Sequence, residues 1–150
     1  MSLLSKELDS LNWKILIELQ KNARASYTEI GKKIGLTAPA IAERIAKLEE
    51  AGIIKGYRTD IDIEKLGYPI RAVMCFTIDN GKQKAFTELL KKTPEVYECN
   101  CITGNYCMII KLAVKHSSDL DEIIRRFKEY GNSTTEIVLS TPIEGKVMES

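Results

Sequence analysis

Apolar residues recur at three- and four-residue spacing through the first fifty positions and at alternate positions through much of the remainder, which predicts a helical front and a mixed rear. Leu11, Ile15, Leu16 and Leu19 make one stripe with Lys14, Glu18 and Lys21 elsewhere, and Asp9 stands where a side chain can cap this first helix. A second helix opens at Ser26-Tyr27-Thr28-Glu29, a capping box in which the serine hydroxyl accepts a first-turn N–H and the glutamate reaches back. Ile30 and Ile34 face inward, Gly31 admits a neighbouring helix, and Gly35 suits the left-handed residue that ends a helix. After a turn of only Gly35 and Leu36, Thr37 caps a third helix that tolerates Pro39 in its first turn.

So tight a bend forbids antiparallel packing. The second and third helices must cross steeply, which is helix-turn-helix geometry and projects the third helix from the surface. With Ile41, Ile45 and Leu48 inward, Ala40, Glu43, Arg44 and Lys47 occupy the flank and outer face. Thr37 and Ala38 bring N–H groups and the positive end of the helix dipole toward a phosphate, and the small Ala40 lets the helix approach base edges. Arg44 and Lys47 are matched to phosphates or guanine edges. In an isolated helix the same cations would solvate the surface and pair with Glu43, Glu49 or Glu50; the three-helix arrangement is what points them at DNA. The expected DNA face is therefore Thr28, Thr37, Ala38, Pro39, Ala40, Glu43, Arg44 and Lys47.

Beyond Gly52, the stretch Arg58 to Ile63 alternates Ile61 and Ile63 with Asp60 and Asp62 and reads as a linker strand, with edges free to pair with the same strand of a second chain. The period then changes. Strands are expected at Ile70 to Ile78, Val96 to Ile102, Tyr106 to Val114 and Thr135 to Thr141. A helix at Lys82 to Lys92 should bury Ala85, Phe86, Leu89 and Leu90, and one capped by Ser118 should bury Leu120, Ile123, Ile124 and Phe127. The order βαββαβ predicts an α+β, ferredoxin-like domain: an antiparallel sheet with both helices on one face, leaving the other face for a second subunit to cover. The expected organisation is a DNA-binding domain over 1–52, a linker strand over 53–68 and a ligand-binding and oligomerisation domain over 69–150.

Composition adds limits. The 150 residues are 44% apolar and 29% charged, ordinary for a globular protein. No window approaches the roughly 18 apolar residues of a membrane span, and Glu7 and Asp9 interrupt any signal-peptide reading, so a cytoplasmic location is expected. The net charge of +1 divides unevenly: ten Lys or Arg against seven Asp or Glu up to Arg58, then twelve against fourteen, a modestly basic head on a near-neutral body.

Taken together, Leu8-Asp9 through Ile15-Leu16 and Leu19-Gln20, Ile30-Gly31 with Ile34-Gly35-Leu36, Glu43-Arg44-Ile45 with Leu48-Glu49, and Gly52-Ile53-Ile54 with Gly56-Tyr57 resemble the leucine-responsive and asparagine regulators. This is the Lrp/AsnC or feast/famine family of transcription factors, and the resemblance covers nearly the whole chain. It implies a winged or compact helix-turn-helix joined to a βαββαβ effector domain, with dimers formed through linker and sheets that assemble to octamers or similar discs. DNA reading falls on Thr37 to Lys47, with Arg44 the most typical basic residue and Ala46 standing where members often carry a cation. Small effectors, usually amino acids, are implied beside the turn Thr103-Gly104-Asn105. Asn105 and Cys107 replace carboxylates that many amino-acid-responsive members place there, so a plain hairpin turn and an architectural, effector-free role stay open beside the effector reading.

Other chemistry finds less support. His116, the only histidine, falls at a strand–helix junction, suited to the surface or to capping. Cys99 and Cys101 share one face of a strand, with Cys107 across the hairpin, but these thiols lack a fourth ligand in motif spacing; core packing is the default for them and for Cys75, with no metal, cofactor or disulfide framework expected. Haem-precursor decarboxylases share a similar two-domain fold, and Tyr97, Tyr106 and His116 are available, yet their spacing marks no site. No catalytic residue is assigned.

Overall fold

The computed structural model describes residues 8–149, so Glu7, the earlier positions of the expected helical domain and Ser150 lie outside the described residues. The described chain forms two compact units, one of residues 8–60 together with 143–149, the other of residues 61–142.

The first unit holds α1 (Ser10–Lys21), α2 (Tyr27–Ile34) and α3 (Ala38–Glu50). Their starts follow local chemistry. Asp9 Oδ1 accepts the Asn12 N–H at 2.7 Å. At α2 the Glu29 N–H reaches Ser26 Oγ at 3.2 Å while Glu29 Oε2 accepts the Ser26 N–H at 2.7 Å, closing the capping box. Thr37 Oγ1 takes the Ala40 N–H, and Gly35 ends α2 at φ +82°. Ile15, Leu19, Ile30, Ile41 and Ile45 form the core, joined by the partly buried Ile34, Leu36 and Ile54. A Cβ at Gly31 would lie 2.4 Å from the Leu36 carbonyl oxygen and 3.6 Å from Ile41 Cγ1 of α3, so its missing side chain makes room for the bend first and for the neighbouring helix beside it. From the tail, Met148 exchanges two hydrogen bonds with the Gln20 amide on α1, at 2.9 and 3.1 Å.

The second unit holds β1 (Ile70–Ile78), α4 (Gln83–Lys91), β2 (Val96–Cys101), β3 (Met108–Val114), α5 (Ser117–Phe127) and β4 (Gly131–Ile137), with one 3-10 turn at Lys128–Tyr130. All pairings are antiparallel and the sheet order is β2-β3-β1-β4. Alternate residues Ala72, Met74 and Phe76 of β1 and Met108, Ile110, Leu112 and Val114 of β3 meet Phe86 and Leu90 of α4 and Leu120, Ile123 and Phe127 of α5. Phe76 stacks on Phe86 at 4.3 Å between ring centroids, and Phe127 meets Phe86 edge-on at 5.1 Å. The opposite sheet face carries Arg71, Val73, Cys75, Ile109 and Lys111, all half-buried. β4 is a sheet edge with Ile137 exposed, and Leu139 beyond it is 95% exposed.

Several expectations are corrected. Within one chain, Arg58 to Asp62 finds no pairing partner among the described residues, and residues 63–67 turn; the described residues between α3 and β1 hold no β wing, and the helical unit has the compact form. Ala85 is exposed rather than buried, since α4 turns only Phe86 and Leu90 fully inward. His116, not Ser118, is the N-cap of α5, and its N–H donates to Asp119 Oδ2 at 3.0 Å. The last strand begins at Gly131, not Thr135: a Cβ there would sit 2.0 Å from the Thr77 carbonyl oxygen, so only glycine lets β4 start so close beside β1. The thiols are not core residues: Cys99, Cys101 and Cys107 are exposed and Cys75 is half-buried. No helix of the described residues is long and apolar enough to cross a membrane.

Candidate nucleic-acid interface

The third helix presents what its periodicity promises. Ile41, Ile45 and Leu48 are buried, while Thr37, Pro39, Glu43 and Lys47 are exposed and Ala38, Ala40 and Arg44 are half-buried along the flank. Thr28 is exposed in the first turn of α2. At the α3 N-terminus the Ala40 N–H is taken by Thr37 and Pro39 has none, which leaves Ala38 to carry the remaining N–H of the first three helical positions.

The two cations expected to face DNA are both engaged within the unit. Arg44 Nη1 donates to Asp9 Oδ2 and to Asn12 Oδ1, each at 2.8 Å, across the joint between α3 and α1. Asp9 thereby caps α1 with one oxygen and holds α3 with the other; its carboxyl is held below the usual aspartate range first by the Asn12 backbone N–H and then by Arg44. Arg44 is turned back toward α1 rather than out to solvent, with its side chain 29% exposed. Lys47 Nζ pairs with Glu43 Oε1 at 2.6 Å on the outer face, where both side chains are well exposed. A groove beside this face is lined by Asp9, Asn12, Leu36, Ala40, Glu43 and Arg44 among others. Lys33 pairs with Glu18, fixing α2 to α1.

Periodicity missed Asn12, Asp9 as the Arg44 partner, and Glu18 as the Lys33 partner. These contacts join residues 15 to 35 positions apart, and no local spacing marks them.

In the second unit the residues between β2 and β3 form a loop with Thr103, Gly104 and Asn105 exposed and Gly104 at φ +116°. Its base is closed by the Ile102 N–H on the Cys107 carbonyl at 3.0 Å, and the Cys107 N–H reaches the Phe76 carbonyl at 2.8 Å. Thr77 Oγ1 donates to the Asn105 carbonyl at 3.4 Å. The Tyr106 hydroxyl lies 3.3 Å from Thr134 Oγ1, and His116 stays at its cap.

The comparisons agree with this architecture. Residues 8–49 match the AsnC-type helix-turn-helix domain, and residues 71–148 match the Lrp/AsnC ligand binding domain. The regulator LrpC of Bacillus subtilis is 31% identical over 134 residues, covering 89% of this chain and 93% of that one, and its solved structure superposes with a TM-score of 0.87. The regulator FL11 of Pyrococcus horikoshii is 36% identical over 137 residues, covering 89% of this chain and 91% of its own. A transcriptional regulator of Neisseria meningitidis, solved as a complex with L-methionine, shares the fold at a TM-score of 0.87 and 22% identity over 94% of this chain and 96% of that one. The relatives are transcriptional regulators, which removes the decarboxylase alternative. With a matched DNA-binding domain, a matched ligand-binding domain and relatives aligned over most of their length, the chain is a DNA-binding regulator of transcription, not an enzyme, and belongs to the Lrp/AsnC family.

Proposed function

We propose that the chain binds operator DNA in the cytoplasm as a homodimer that assembles further, to octamers, with Thr28, Thr37, Ala38, Pro39, Ala40, Glu43 and Lys47 facing the duplex and Arg44 holding the recognition helix in position. The observation that carries this reading is the exposed edge of α3, where small Ala40 sits between a capped N-terminus and the Glu43–Lys47 pair. Two such helices in a symmetric dimer meet successive major grooves about 34 Å apart on one DNA face. Binding exchanges the Glu43 partner of Lys47 for a phosphate. Lys47→Ala is therefore expected to weaken gel-shift affinity and to reduce its salt slope by about one; an unchanged slope would place the DNA on another face.

The second unit supports a small-molecule effector. The Neisseria relative holds L-methionine, and we place an amino acid at Thr103, Gly104 and Asn105, where exposed backbone donors around a positive-φ glycine suit a carboxylate. An architectural, effector-free role is the second reading, favoured by Asn105 and Cys107 standing where a ligand ammonium would want carboxylates. Sedimentation equilibrium with a panel of amino acids separates the two: a shift in assembly with one of them is expected, and no shift with any would establish the architectural role.

A further inference from the structure

Three sulfur-bearing residues, Cys99, Cys101 and Met108, lie together at the free β2 edge of the sheet. Cys99 and Cys101 alternate along the strand, so both side chains leave the same face. The register sets Cys99 opposite Ile110 and Cys101 opposite Met108, which is the face covered by the helices. The Cys99 thiol lies 3.8 Å from the Met108 thioether sulfur. Cys101 stands directly across from Met108, where Cβ atoms of paired residues are about 5 Å apart. All three line one cavity of about 370 Å³, open at the strand edge, whose wall includes Lys91. Cys107, the third thiol expected from the sequence, is not among the cavity's residues; Met108 takes that place.

We propose that Cys99, Cys101 and Met108 form a binding site for a soft monovalent metal ion, Cu(I), with Ag(I) as its redox-inert analogue. Two thiols and a thioether are a donor set that selects such ions over hard cations. Structural zinc wants four nitrogen or sulfur ligands, and among the described residues no three His, Cys, Asp or Glu side chains gather to hold a metal. With metal–sulfur bonds of about 2.3 Å, two sulfurs on one ion lie ~4 Å apart, close to the existing Cys99–Met108 separation. Binding breaks two S–H bonds, forms two metal–thiolate bonds and releases two protons to solvent; the metal keeps its oxidation state. The cavity wall carries Lys91, paired with Glu88 at 2.8 Å, and Glu98, paired with Lys111 at 2.9 Å, so the complex adds a single negative charge to a wall whose own charges are balanced. A bound ion would tie the last residue of β2 to the first of β3, stiffening the base of the 102–107 loop; the metal site itself does not depend on the effector reading.

The test uses the reduced full chain under anaerobic conditions. Titration with Cu(I) against the chelator bathocuproine disulfonate should show one equivalent bound per chain, retained in Cys75→Ser and Cys107→Ser. The Cys99→Ser, Cys101→Ser double variant should lose more than the ~100-fold that even a supporting contact can command, and the size-conserving Met108→Leu about tenfold. Folding of the variants is checked by circular dichroism. Without any variant, one equivalent of Ag(I) should shield Cys99 and Cys101, but not Cys75 or Cys107, from alkylation mapped by peptide mass. Undiminished affinity in the double variant, or shielding spread equally over all four thiols, overturns the site.

Discussion

Replacing Gly31 by alanine is expected to disrupt the helix-turn-helix bend and abolish specific DNA binding. In an ordinary helix the substitution stabilises by up to about 1 kcal/mol, because glycine is the more flexible residue. Here the sign reverses. The new methyl would lie 2.4 Å from the Leu36 carbonyl oxygen, a backbone atom that no rotamer change can move aside. The Gly31 carbonyl also receives the Gly35 and Leu36 N–H groups at 2.8 and 3.0 Å, so displacing this strand of backbone opens the turn it anchors. Overpacking of this kind costs about 1–3 kcal/mol, and the penalty falls on the two residues that aim α3. Thermal unfolding should show the loss. The sheet unit has its own core and should keep its NMR resonances; a variant that binds DNA as the parent does would mean the bend is more compliant than its geometry implies.

Arg44→Ala is expected to lower both stability and DNA affinity, and Asp9→Ala to do the same. If Arg44 acted only as a phosphate contact, removing the nearby negative charge of Asp9 would leave DNA binding unchanged or improved. Because Arg44 joins Asp9 and Asn12 at 2.8 Å, each substitution instead loosens α3 from α1. The pair is partly exposed, so the expected cost is about 1–2 kcal/mol per variant, most of it from the lost cap for Asp9 and the lost tie between α3 and α1 for Arg44. A double-mutant cycle should show the two effects to be less than additive. The pH dependence has a definite sign. The folded-state carboxyl of Asp9 is lowered from 3.8, so its contribution is complete above that value and disappears as pH falls through the lower folded value. The gap in thermal midpoint between the parent and Asp9→Ala should therefore be constant at neutral pH and close only in acid. A gap that closes near neutrality would assign the effect to another group.

What the sequence disclosed here was what is local. The caps at Asp9, Ser26 and Thr37 and the stop at Gly35 are written within four residues of the atoms they satisfy, and β1 is bounded as its alternation predicts. The same locality placed Thr37 to Lys47 on one helix but not the guanidinium of Arg44, whose partners lie 32 and 35 positions away. β4 begins four residues earlier than expected because its start at Gly131 depends on room beside Thr77, which no local pattern records. The linker alternates like a strand, yet a ladder needs a second row of backbone groups, and a single chain supplies none there. Cysteine spacing drew attention to Cys107, since a thioether carries no motif; the register sets Met108 opposite Cys101 and diagonal to Cys99.

The unpaired edge of β4 also bears on how the molecule behaves in concentrated solution. Among the described residues of one chain nothing pairs with its outer edge, exposed Ile137 ends the strand and exposed Leu139 follows it, and a net charge of +1 gives little mutual repulsion near neutrality. Stocks prepared there would tend to gather strand against strand, and a single Leu139→Lys change would set a charge at the sticky margin without touching the core.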